Sequence, residues 1–124
     1  MLTLGSATRV YLAAGATDLR KGFDGLAALA AGVVEGDSLS GHVFVFCNRT
    51  RTRLKALFWD GTGLWVCAKR LEGGRFSWPG LGESALGSLP RRVEVSREEF
   101  ALLVGGMEME RVVRKRWWGT DSSD

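Results

Sequence analysis

A single histidine, His42, and two cysteines, Cys47 and Cys67, leave this chain of 124 residues short of metal donors. They cannot complete a four-ligand zinc site without carboxylates at unusual spacing. Both cysteines lie in apolar runs and read as buried free thiols of a reducing cytosol. No apolar run approaches the roughly 20 residues that a membrane span needs. The N-terminal stretch lacks the basic start and long apolar centre of a signal peptide, so a cytoplasmic protein is expected. There is no internal repeat, and a hydrophobic fraction of 45% excludes global disorder.

Catalytic groups are equally scarce. His42 opens an apolar strand segment and reads as structural, and no Ser, Cys or Thr has a visible base partner. A metal-dependent nuclease needs clustered carboxylates. Asp18, Asp24, Asp60 and Glu72 each already have an adequate role as cap, solvent-facing helix residue or turn residue. The stretch Gly80-Leu81-Gly82-Glu83-Ser84-Ala85 fits a relaxed dinucleotide pattern, but it follows Pro79 in an antiparallel context without the required strand–helix setting. No phosphate-binding P-loop motif occurs. No catalytic residue, metal or cofactor is therefore expected.

What the chain does have is concentrated in residues 48–78. Seven basic residues (Arg49, Arg51, Arg53, Lys55, Lys69, Arg70 and Arg75) stand against Asp60 and Glu72. The segment carries a formal +5, more than the +3 of the whole chain. It also holds Trp59, Trp65 and Trp78, three of the five tryptophans. Basic residues interleaved with aromatics on short strands fit a surface that meets phosphate backbones. The same composition also fits a protein interface, or a solvated hairpin whose tryptophans point inward.

Residues 9–13 read as a strand ended by Gly15. Thr17 or Asp18 can cap a helix whose apolar stripe is Leu19, Phe23, Leu26, Ala30 and Val33, ending near Gly36. Gly22 and Gly25 within it are expected to let the helix approach a sheet. Three strands follow, at 42–47, 54–59 and 64–71, with a fourth short one at 75–78. Short turns join them, including Asp60-Gly61-Thr62-Gly63. Residues 92–95 form another strand candidate. Ser96-Arg97-Glu98-Glu99 then reads as a capping box for a helix that stops at Gly105-Gly106.

The expected architecture is α+β: an antiparallel meander with one main helix on one face and a second short helix near the C-terminus. A single domain would span 1–109, followed by a flexible basic and aromatic tail at 110–124. On the central hairpin, alternation places Lys55 and Trp59 on one face of their strand, and Trp65 and Lys69 on one face of the next. These are read together as a Trp- and Lys-bearing face. Arg49, Arg51 and Arg53 form a basic ribbon tip. Trp59 and Trp65, with Trp117 and Trp118 in the tail, are the candidate partner interface.

Several motifs, taken in order, resemble a known family. The first is Gly15-Ala16-Thr17-Asp18-Leu19-Arg20-Lys21-Gly22-Phe23-Asp24-Gly25-Leu26. Gly41-His42-Val43-Phe44-Val45-Phe46, Asn48-Arg49, Arg53-Leu54-Lys55 and Trp59-Asp60-Gly61 follow. The last runs from Lys69-Arg70-Leu71-Glu72-Gly73-Gly74 to Arg75-Phe76-Ser77-Trp78-Pro79. The chain resembles TnpB, the second open reading frame product of the insertion-sequence sixty-six group of bacterial transposable elements. The resemblance implies an accessory protein for transposition beside a separate transposase, and no catalytic residues. Expected partners are the DNA of the element's ends, the transposase and a second copy of the chain. The alternative is an interaction module that does not touch DNA.

Overall fold

The computed structural model describes residues 8–32, 41–82 and 91–105. The elements are β1 (Val10–Ala13), α1 (Phe23–Gly32), β2 (Val43–Cys47), β3 (Arg53–Trp59), β4 (Leu64–Arg70), β5 (Arg92–Val95) and α2 (Arg97–Gly105). The tail at 110–124, with Trp117 and Trp118, lies outside the described residues, as do the expected helix end at 33–36 and the loop at 83–89.

The strands form one sheet in the order β4-β3-β2-β1-β5. β2, β3 and β4 are the expected antiparallel meander. The sheet as a whole is mixed, however, because β1 runs parallel to β2 and antiparallel to β5. The parallel pair follows from the connection: α1 lies between β1 and β2, and a crossover containing a helix returns the chain in the same direction. β2 is buried at all five positions, as befits a strand in the middle of the sheet.

Two apolar clusters sit on opposite faces of the sheet. On one, Leu26 and Ala30 of α1 join Ala13, Phe44, Phe46 and Leu57. On the other, Phe100 and Leu103 of α2, with Phe76, Trp78 and Leu81, cover Val10, Leu12, Val43, Val45, Leu54, Ala56, Val93 and Val95. Residues 75–78 are not the fourth meander strand. Phe76, Ser77 and Trp78 are buried within an irregular segment, where Trp78 donates its indole N–H to the Ala13 carbonyl at 2.9 Å. Cys47 is fully buried, and burial pushes its thiol up to about 12. Cys67 is only half-buried.

α1 starts later than expected. Asp18 does not cap it; its carboxylate accepts the Arg20 backbone N–H at 3.0 Å within a local turn, and Lys21 N–H bonds the Asp18 carbonyl. Phe23, the first helical residue, is 53% exposed. The glycines do not admit a sheet either. A Cβ at Gly22 would meet nothing within 4 Å, and the atoms nearest to one at Gly25 would be those of the Lys21 side chain. At α2 the capping box forms: Glu99 N–H donates to Ser96 Oγ at 3.0 Å, and Ser96 N–H donates to Glu99 Oε1 at 2.8 Å.

Candidate nucleic-acid interface

The β3–β4 register decides which side chains share a face. Arg53 pairs with Arg70, Lys55 with Ala68, Phe58 with Trp65 and Trp59 with Leu64. The turn 60–63 has four residues, so an odd-numbered residue of β3 always faces an even-numbered residue of β4. Directly paired residues point to the same side of the sheet. The expected face bearing Trp59, Lys55, Trp65 and Lys69 therefore does not exist. Lys55 and Trp59 project toward α1, whereas Trp65 and Lys69 project toward α2.

Each tryptophan then has its own setting. Trp65 stacks on Phe58 with ring centroids 6.1 Å apart and nearly parallel planes. Its indole N–H donates to Asp60 Oδ2 at 2.7 Å, yet the side chain stays 52% exposed. The other Asp60 oxygen accepts the Thr62 and Gly63 backbone N–H groups and the Thr62 hydroxyl. These bonds, the Thr62 N–H foremost, hold the Asp60 carboxyl well below the usual carboxylate range. Trp59 is half-buried on the opposite side.

The seven basic residues also separate. Arg53, Lys55 and Arg70 share the α1 side of the hairpin and line a groove of about 970 Å³ together with Arg49. The far wall is the loop carrying Thr17, Asp18 and Arg20. That loop is tied to the sheet by Thr17 N–H on the Cys47 carbonyl at 2.8 Å and by Lys55 Nζ on the Lys21 carbonyl at 3.2 Å. Lys69 also touches the groove, but its Nζ donates to the Val104 carbonyl at the end of α2, where a cation favours the helix terminus. Arg51, at φ 61°, sends its guanidinium against Gly82 and offers its carbonyl to Phe76 N–H at 2.7 Å. Arg75 is exposed and does not line the groove.

Asn48 builds the turn between β2 and β3. Its Oδ1 accepts the N–H groups of Thr52 and Arg53 at 3.0 and 3.1 Å. Arg53 is thus placed by a fixed turn, not by a loose tip. Arg20, absent from the basic segment of the sequence, reaches the groove from a different part of the chain. Asp18 grips it through Nε and Nη2 at 2.8–3.2 Å, and this contact holds the Asp18 carboxyl well below its usual range. The Asp18-x-Arg20 spacing was the available signal for this pair. Arg70 meets Glu72 at 3.3 Å, an exposed contact of small energetic weight. Among the described residues, neither Arg49 nor Arg53 has a carboxylate partner.

Among the described residues there is no group of His, Cys, Asp and Glu able to hold a metal ion. No helix of the described residues is long and apolar enough to cross a membrane. Fold and groove together define a small α+β protein whose concentrated chemical feature is an open cationic groove beside a β-hairpin. The chain belongs to the IS66 Orf2-like family, whose model matches residues 8–114. It is 37% identical over 107 residues to the uncharacterized protein y4jC of Sinorhizobium fredii (strain NBRC 101917 / NGR234), covering 86% of each chain. It is 39% identical over 93 residues to the uncharacterized protein y4hO of the same strain, covering 75% of this chain and 81% of that one. No solved structure matches.

Proposed function

We propose that this protein is a non-enzymatic accessory factor for transposition of an insertion sequence, acting in the cytoplasm beside the transposase and binding DNA through the groove. Membership in the IS66 Orf2-like family supports the transposition role. The observation that carries DNA binding is the meeting of Arg49, Arg53, Lys55 and Arg70 on one groove, with Arg20 on the wall opposite. Such contacts fix a protein on the phosphate backbone and carry little sequence information. Affinity for duplex DNA of the element's ends should fall steeply with salt. Replacing Arg49 and Arg53 together by Ala should reduce the log–log salt slope by about 2, roughly one per lost phosphate contact. A gel-shift salt series checks this; absence of binding at low salt, or an unchanged slope, refutes it.

Trp65 favours a second reading. An exposed indole held rigidly by Asp60 and Phe58, on a strand at the edge of the sheet, is suited to docking a transposase or a second copy of this chain. Under this reading, Trp65→Ala abolishes co-purification with the transposase, or dimerisation seen by light scattering, and leaves the gel shift intact.

A further inference from the structure

Two arginines face each other on the groove side of the hairpin. The phase of the β3–β4 ladder is set by Asp60 N–H on the Gly63 carbonyl at 3.0 Å and by Leu71 N–H on the Thr52 carbonyl at 2.8 Å. Hydrogen-bonded and non-hydrogen-bonded pairs alternate between these ends. Counting inward, Arg53 and Arg70 fall on a non-hydrogen-bonded pair. That is where facing residues come closest, with Cα atoms about 4.5 Å apart. Like charges placed directly opposite each other destabilise a hairpin. Arg70 is partly offset by Glu72, but Arg53 has no carboxylate among the described residues. Arg20, by contrast, is held by Asp18 at 2.8 Å.

We propose that Arg53 and Arg70 form a phosphate clamp that seats one phosphodiester group of the bound nucleic acid between their guanidinium forks. The proposal rests on the DNA-binding reading of the same groove and names the ligand group and the pair that take it. A phosphate presents several acceptor oxygens, so each fork can make parallel N–H···O bonds, and the shared anion removes the repulsion between the two cations. The empty clamp costs stability; the filled clamp returns it. Asn48 keeps Arg53 in register by accepting its backbone N–H.

The test is thermal melting of the full chain in dilute buffer, with inorganic phosphate as the probe and sodium chloride at matched ionic strength as the reference. Phosphate should raise the wild-type melting temperature beyond the chloride reference. Without phosphate, Arg53→Gln should melt on the order of 2 °C higher than wild type, because one of the two facing charges is gone. The same variant should lose the extra response to phosphate. Arg53→Lys, which keeps the charge without the fork, should melt like wild type in chloride and lose most of the phosphate increment. Arg75→Gln, outside the groove, should keep it. Equal wild-type responses to phosphate and chloride would overturn the clamp, and so would an Arg53→Gln variant that melts lower without phosphate. If DNA still binds in the gel shift while the phosphate increment is missing, the clamp falls and the groove reading stands. A phosphate increment without DNA binding would overturn the assignment to nucleic acid, because the pair would then take free phosphate and not a phosphodiester.

Discussion

Asp60 shows how much one side chain can organise. Its two oxygens accept four hydrogen bonds, which close the hairpin turn and hold Trp65. Because those bonds favour the charged form, the folded carboxyl titrates below its unfolded counterpart, near the ordinary value of about 3.9. A group with a depressed folded value contributes stability above the unfolded one and loses it as pH falls through the folded one. Asp18, held by Arg20, adds to the same acid limb. The melting temperature should therefore be flat above about pH 5 and drop below about pH 4. Asp60→Asn should melt lower than wild type at neutral pH and show a shallower acid limb, the remainder coming from Asp18. Melts followed by circular dichroism across that range check this; a variant limb as steep as the wild type's would assign the acid sensitivity elsewhere. Asp60 was legible in sequence as a turn residue, because Asp beside Gly is turn chemistry. Its grip on Trp65 was not legible, since that bond depends on where the turn sends the next strand.

At the scale of elements, the strands were readable and their partners were not. Alternation, β-branched content and turn residues located β2, β3, β4 and β5 within a residue or so of where they lie. The capping box announced α2 because both halves of the motif are local. Strand pairing is not local. Val10 is opposite Val43 in the parallel pair and opposite Val95 in the antiparallel one, contacts that no short window contains. The shared faces were illegible for a related reason. Alternation sorts residues within one strand, but relating two strands needs the turn length, and a four-residue turn reverses the parity. Parity within single strands groups Trp59 with Trp65, whereas the register puts them on opposite faces and sets Arg53 against Arg70. The groove was therefore half legible: Arg49, Arg53, Lys55 and Arg70 stood out by charge, whereas the Thr17–Arg20 wall became visible only once Thr17 was found bonded to Cys47. The α1 start was missed because Asp18 satisfies a turn with the same side-chain oxygen that a helix cap would use.

At the scale of the whole molecule, the segment through Trp78 ties distant parts of the chain together. Phe76 bonds Arg51, Trp78 bonds Ala13, and Pro79 receives the Gly15 N–H at 2.8 Å. This seam lies immediately before the Thr17–Arg20 wall, so the closure of the fold and the seating of the groove depend on one crossing. Gly80 is where the crossing is tightest. Its φ is +83°, and an added Cβ would lie 2.6 Å from the Gly15 nitrogen and 3.1 Å from its Cα. Those neighbours are backbone atoms already committed to the Pro79 bond, so they cannot step aside as a flexible side chain would. Gly74 has a similar φ of +75° with nothing within 4 Å, which makes it the control for backbone strain alone. Gly74→Ala should cost about 1 kcal/mol, the left-handed penalty for a residue with a Cβ. Gly80→Ala should cost about 3 kcal/mol, because displacement of the seam is added to that penalty. Urea unfolding of the two variants measures the difference. Equal losses would mean that the crossing yields without disturbing the Gly15 bond. A larger loss at Gly80 would assign the excess to the contact that joins β1 to the segment covering the sheet.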